Sequence, residues 1–100
     1  MPASAAVCPL TLIAWRLSDL PVRDLWADYI ALGGSRPRAA LAEYLAGTTA
    51  WSASEHNTLA QALNEDLWGQ GHPSLAPYRE LPDDRRSVAS DVEKRLHDAP

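Results

Sequence analysis

The chain has 100 residues, 46% of them apolar, and a formal net charge of −4. That length accommodates one domain with a modest core, since a chain this short hides only about 60–65% of the surface it exposes when unfolded. The acidic balance argues against a general polyanion binder, and the single Cys8 excludes an intrachain disulfide and fits a reducing compartment.

Seventeen residues are alanine and none is phenylalanine, so the bulky core candidates are leucines, two isoleucines, four tryptophans and three tyrosines. β-Branched residues are sparse and no regular alternation recurs, which points to an all-α fold rather than a sandwich. Arginine outnumbers lysine eight to one, a composition in keeping with a high-GC bacterial genome.

Residues 1–8 read as a loose N-terminal tail. Ala5 to Trp15, "AAVCPLTLIAW", is the one targeting candidate. It has no basic start, contains Pro9 and is too short to span a bilayer, so the chain is expected to be soluble and cytoplasmic with no membrane partner. From Pro9 onward Leu10, Ile13, Ala14 and Leu17 have helical spacing. Leu10, Leu12 and Ala14 also alternate as a strand would; the helix is the preferred reading.

The second helix lies within "SDLPVRDLWADYIALGG". Ser18 or Asp19 serves as its N-cap, Pro21 lies in its first turn and Gly33 stops it. Val22, Leu25, Trp26, Tyr29 and Ile30 form its apolar stripe. Ser35 is expected to cap a third helix, "RPRAALAEYLA", with Pro37 in the first turn and Gly47 at its end. Its inward face is Pro37, Ala40, Leu41, Tyr44 and Leu45. The short Gly33–Ser35 break sets these two helices against each other.

The fourth helix has the clearest start. Ser52 and Glu55 have the capping-box spacing, and Trp51 is placed to staple onto His56. Leu59, Ala60, Leu63 and Leu67 line its core face, and Gly69 or Gly71 ends it. "HPSLAPYRELPDDRR" then has three prolines and no period, so it should run extended, with Leu75, Tyr78 and Leu81 strapping it across the helices. Val88, Val92 and Leu96 give the last segment a narrow stripe, a marginal helix in isolation. The expected architecture is therefore a small bundle of three to four helices over residues 9–81, a proline-rich strap included, with residues 82–100 as a helical or disordered appendage.

Helix, short turn, helix is also how many proteins read DNA, so a helix-turn-helix regulator is the alternative function. The pair Arg36–Ala46 and Ala53–Trp68 is joined by about six residues, longer than the usual three or four. No lysine or arginine lies between Arg38 and Arg79, while Glu43, Glu55, Glu65 and Asp66 do. Glu55 would face phosphate at the start of the reading helix, which opposes binding. Asn57 and Gln61 could reach adenine, but exposed polar helix residues explain them as well. The variant that inserts Arg36 and Arg38 into DNA has two cations, with Asp24 and Asp28 nearby.

No catalytic, metal or cofactor pattern stands out. His56, His72 and His97 have no partner at metal-ligand spacing. Glu65 and Asp66 are adjacent on a helix and point about 100° apart. Ser35, Ser52 and Ser87 read as caps, and Gly33-Gly34 lacks the lysine of a phosphate loop. Arg85 to Val88, "RRSV", resembles a basic-directed kinase site, though an ordinary N-cap explains Ser87 too.

What remains is a protein-binding surface. Four tryptophans are many for a small core, and where Leu67 and Leu25 face inward, Trp68 and Trp26 are rotated toward the rim, although rings that cover the bundle ends or pack under the strap explain them equally well. Trp and Tyr concentrate at the energetic centres of interfaces. Trp26, Glu65, Asp66, Trp68 and Tyr78 are therefore the candidate partner-binding residues, and another protein or a second copy is the expected partner. The segments "LW-x-x-YIALGG", "LAEYLAG", "LAQALNE" and "LAPY" resemble a group of small actinobacterial helical proteins. The resemblance covers Leu25 to Tyr78. It implies a compact helical module in a regulatory role and carries over no catalytic residue.

Overall fold

The computed structural model describes residues 4–81. The expected C-terminal helix and the Ser87 cap lie outside them. The elements run β1 (Ser4–Ala5), α1 (Pro9–Ser18), α2 (Val22–Ala31), α3 (Arg38–Leu45), β2 (Trp51–Ser52) and α4 (Ala53–Gly69), then an extended strap over 72–81. α4 packs against both α1 and α2, and α3 packs against α2.

The fold is helical but not purely α. Ser4 pairs with Ser52 and Ala5 with Trp51 in an antiparallel two-stranded sheet, so the expected loose tail is tied down from Ser4 onward. Two-residue strands carry no readable period, and what holds them comes from far along the chain. The Arg79 guanidinium donates to the carbonyls of Trp51 at 2.8 Å, Ala5 at 3.2 Å and Ala6 at 2.9 Å. β2 also occupies the connection between α3 and α4, where the helix-turn-helix reading needed a tight turn.

α1 is a helix, with Pro9 at its start. Of its expected stripe only Ala14 is buried. Thr11, Ala14 and Ser18 are buried, while Leu10, Ile13 and Leu17 are 46%, 52% and 37% exposed. The buried hydroxyls are satisfied locally: Thr11 shares a hydrogen bond with the Cys8 thiol at 3.1 Å, and Ser18 donates to the Trp15 carbonyl at 2.6 Å. Asp19, at φ 59°, ends α1 in the left-handed conformation instead of capping α2, and Pro21 occupies the N-cap position of α2.

α2 buries Leu25 and Tyr29 as its stripe predicts; Ile30 is exposed. The turn after it is built around Tyr29. Gly33 adopts φ 101°, and the Gly34 N–H donates to the Tyr29 carbonyl at 3.0 Å. A Cβ at Gly34 would lie 2.3 Å from the Tyr29 ring. Ser35 does not cap α3, whose N-cap position is Pro37. Its N–H instead donates to the Tyr29 oxygen at 3.1 Å, and its hydroxyl donates to the Glu55 carboxylate. The Tyr29 hydroxyl donates to the other Glu55 oxygen and accepts from the Arg36 N–H at 2.9 Å.

α3 buries Ala40, Leu41, Tyr44 and Leu45 as expected, and Pro37 is exposed. At the start of α4 the capping box is half formed. Ser52 accepts from the Glu55 N–H at 3.3 Å, but the Glu55 side chain reaches Tyr29 and Ser35 instead of returning to Ser52. Trp51 stacks on Tyr44 at 4.6 Å between ring centroids and tilts against Tyr29 at 5.3 Å. Leu59, Ala60, Leu63 and Leu67 line the core with Ala53, His56, Ala62 and Asn64.

The Gly34–Tyr29 contact generates a prediction. Gly34→Ala forces the ring or the turn to move and should lower unfolding stability by about 1–3 kcal/mol in urea titration, with the m-value unchanged. A variant as stable as the parent would show that the ring yields without resistance.

Candidate interaction surface

α4 grips the strap by its backbone. The Asn64 amide donates to the Ala76 carbonyl and accepts from the Ala76 N–H, both at 2.9 Å. Asn57 does the same for Arg79, at 2.9 and 2.7 Å. The two asparagines stand two helical turns apart, about 10 Å along the axis, and three extended residues cover about the same length. The spacing on the helix therefore matches the spacing on the strap. Neither an adenine contact nor an idle surface position describes Asn57.

Between these clamps lies a buried polar chain. The Pro77 carbonyl accepts only, so His56 donates to it from Nε2 at 2.9 Å. His56 Nδ1 then accepts from the Tyr44 hydroxyl at 2.7 Å, and that oxygen accepts from Arg79. Burial, with the Arg79 charge beside it, holds the His56 pKa below its ordinary value. Burial likewise pushes the Tyr44 hydroxyl up to about 12, although Arg79 opposes it. Burial, with Glu55 alongside, pushes Tyr29 up to about 12. Burial raises Glu55 itself, but hydrogen bonds from Ser35 and Tyr29 outweigh it and hold the carboxyl below the usual carboxylate range.

With the strap fixed, Tyr78 stands beside the last turns of α4. Gln61, Asn64, Glu65, Trp68, Ser74 and Tyr78 line an open groove of about 420 Å³. Gln61, Glu65 and Trp68 share one helix face by their spacing, and Ser74 and Tyr78 flank the buried Ala76 on the strap. Trp68 is 76% exposed and Tyr78 57% exposed. Tyr78, expected to strap inward, thus faces out; Ala76 takes the buried position.

Three of the five candidate residues, Glu65, Trp68 and Tyr78, therefore meet on one surface. Trp26 does not join them. Its ring is half-buried against the core, and its indole N–H donates to the Arg36 carbonyl at 2.9 Å, fastening α2 to the chain entering α3. Asp66 turns the other way, toward Asp28 on α2. Its Oδ2 is buried with no donor. Burial, then Asp28 and next Glu65, push the Asp66 carboxyl up to about 7.

Elsewhere, Arg23 and Arg38 line a shallow depression between α2 and α3, where Arg23 approaches Asp24 at 3.6 Å. Among the described residues no group of three or more His, Cys, Asp or Glu side chains is placed to hold a metal ion. No helix among them is long and apolar enough to cross a membrane. Sequence reasoning missed Asn57, Asn64 and Arg79. The available signal was a pair of asparagines seven apart on a helix followed by a proline-rich extended run. No protein-family model, curated protein or solved structure matches the chain.

The Asp28–Asp66 contact and His56 give opposite pH responses. Asp66 is raised from an ordinary 3.8 to about 7, so its contribution to stability is full below pH 3.8 and is lost as pH rises through 7. His56 is lowered, so its contribution is full above 6.5 and falls away as the unfolded chain protonates below that pH. Urea midpoints measured across this range should show that Asp66→Asn removes the alkaline decline and leaves the acidic one. An unchanged alkaline limb in Asp66→Asn would contradict this assignment.

Proposed function

We propose that this chain is a non-catalytic protein-interaction module, regulatory in role, that docks a partner protein in the groove between α4 and the strap. The observation that carries the reading is Trp68, 76% exposed beside the exposed Tyr78 in a groove lined by both. An indole held in water is unfavourable unless something covers it, and buried Trp and Tyr anchors dominate binding energy at interfaces. The groove wall is also pre-organised. The Asn57 and Asn64 clamps fix the strap before a partner arrives, so little ordering entropy remains to be lost on binding.

The DNA-binding alternative draws less support. The first turn of α4 carries Glu55, which is tied to Tyr29 and Ser35, and the arginines of the α2–α3 region are few. A gel shift that is strengthened at low salt would favour it.

Self-association has an observation of its own. Leu10, Ile13 and Leu17 recur at i, i+3 and i+7 along the outer face of α1, the spacing of a helix–helix contact. This second reading makes the chain a homo-oligomer through α1, with the α4 groove left open.

Because Trp68 is mostly solvent-exposed, Trp68→Ala should change folding stability by no more than about 0.5 kcal/mol. It should nevertheless release a partner that the parent retains in a pulldown. Retention of the same proteins by both would overturn the groove reading. For the second reading, sedimentation should show a concentration-dependent dimer that Ile13→Glu abolishes; a monomer throughout would refute it.

A further inference from the structure

Resting on the groove reading above, we infer that the guest of the α4–strap groove is an arginine side chain carried by the partner protein, held against Trp68 and Tyr78 with its charge met by Glu65. The groove offers few kinds of contact. Both polar ends of the Asn64 amide are engaged by Ala76, so that side chain is not available to read a guest's backbone. What remains is two aromatic faces, one carboxylate, the small polar Ser74 and Gln61, whose amide nitrogen is turned to Glu65.

Glu65 is oriented from its own helix. Gln61 Nε2 donates to Glu65 Oε2 at 3.1 Å, which leaves the carboxylate charge uncompensated. Among the described residues no cation lines the groove. The strap's arginine, Arg79, follows Tyr78 in sequence but is engaged on the opposite side by Trp51, Ala5, Ala6 and Tyr44. An anionic guest would be repelled by Glu65. A purely apolar guest would desolvate that carboxylate without replacing its water. A guanidinium satisfies both demands: its plane stacks on an aromatic face, preferentially that of tryptophan, and its N–H fork matches a carboxylate. An ammonium meets the charge but supplies no plane to stack, so lysine should bind more weakly.

The test is calorimetric titration of the full chain with a capped Ala-Arg-Ala-Arg-Ala peptide and its lysine and citrulline counterparts, citrulline being the uncharged isostere of arginine. The expected result is saturable binding of the arginine peptide that weakens as salt is added. Citrulline should bind about tenfold more weakly, and Trp68→Ala should cost about the same factor. Glu65→Gln should cost about threefold and flatten the salt dependence. Leu32→Ala, on an exposed position outside the groove, should bind as the parent does.

Equal binding of the citrulline peptide, undiminished binding by Trp68→Ala, or no saturable binding would overturn the proposal. So would binding that emerges only in an Arg85→Ala/Arg86→Ala chain, since the chain's own arginines would then be the guest. The two readings fail separately. A Trp68-dependent protein partner indifferent to Glu65→Gln and to salt would remove the arginine and leave the groove. A partner indifferent to Trp68 would remove both.

Discussion

The half-buried Arg79 guanidinium ties together three distant parts of the fold. It bridges the carbonyls of β1 and β2 and donates to the Tyr44 hydroxyl, while the Arg79 backbone is held by Asn57. One residue near the end of the described chain thus fastens its first residues, the connection before α4 and the aromatic core. The surrounding polar groups follow from that charge. Tyr44 can turn its proton toward His56 because Arg79 occupies its lone pair, and His56 can then donate to the strap. Without the guanidinium, the carbonyl of buried Trp51 and the oxygen of buried Tyr44 would each lose a donor, a penalty of about 1–3 kcal/mol for each group left unsatisfied.

The same arrangement explains why an extended, proline-containing strap holds one position. Prolines at 73 and 77 supply no backbone donor, and the segment belongs to no sheet. α4 supplies substitutes. Two asparagine amides act as surrogate peptide groups, each pairing with one residue of the strap as a neighbouring strand would. Ala76 is small enough to let the strap lie close on the helix, and Tyr78 is thereby held outward. The exposure of Tyr78 is thus a consequence of backbone satisfaction along the strap.

At the other end of α4, Tyr29 organises the turn from α2 to α3. Its oxygen accepts two backbone N–H groups that no helix satisfies, and its proton goes to Glu55. Glu55 is thereby diverted from the reciprocal cap to a tertiary contact, and Gly34 is required where the ring crosses the turn. α1 shows a comparable trade between local pattern and packing. Thr11, Ala14 and Ser18 are buried and Leu12 and Trp15 pack against the core, while Leu10, Ile13 and Leu17 face outward, a distribution that a self-contained helical domain does not need.

Local chemistry alone determined the helices, their order and much of the core. Proline and glycine placed the breaks, Ser52 marked the start of α4, and 3.6-residue periodicity picked out Leu25, Tyr29, Leu41, Tyr44, Leu59, Leu63 and Leu67 for burial. It also placed Trp68 at the rim, because a residue next to a buried leucine is rotated away from the core. Only the tertiary structure decided which face of α1 is buried, since periodicity marks a stripe without saying what covers it. The β1–β2 pair, the clamps from Asn57 and Asn64, and the separation of Trp26 from Glu65, Trp68 and Tyr78 were decided there too. Each depends on groups distant in sequence finding a donor or acceptor, and hydrogen-bond complementarity across such separations leaves no periodic trace in a single chain.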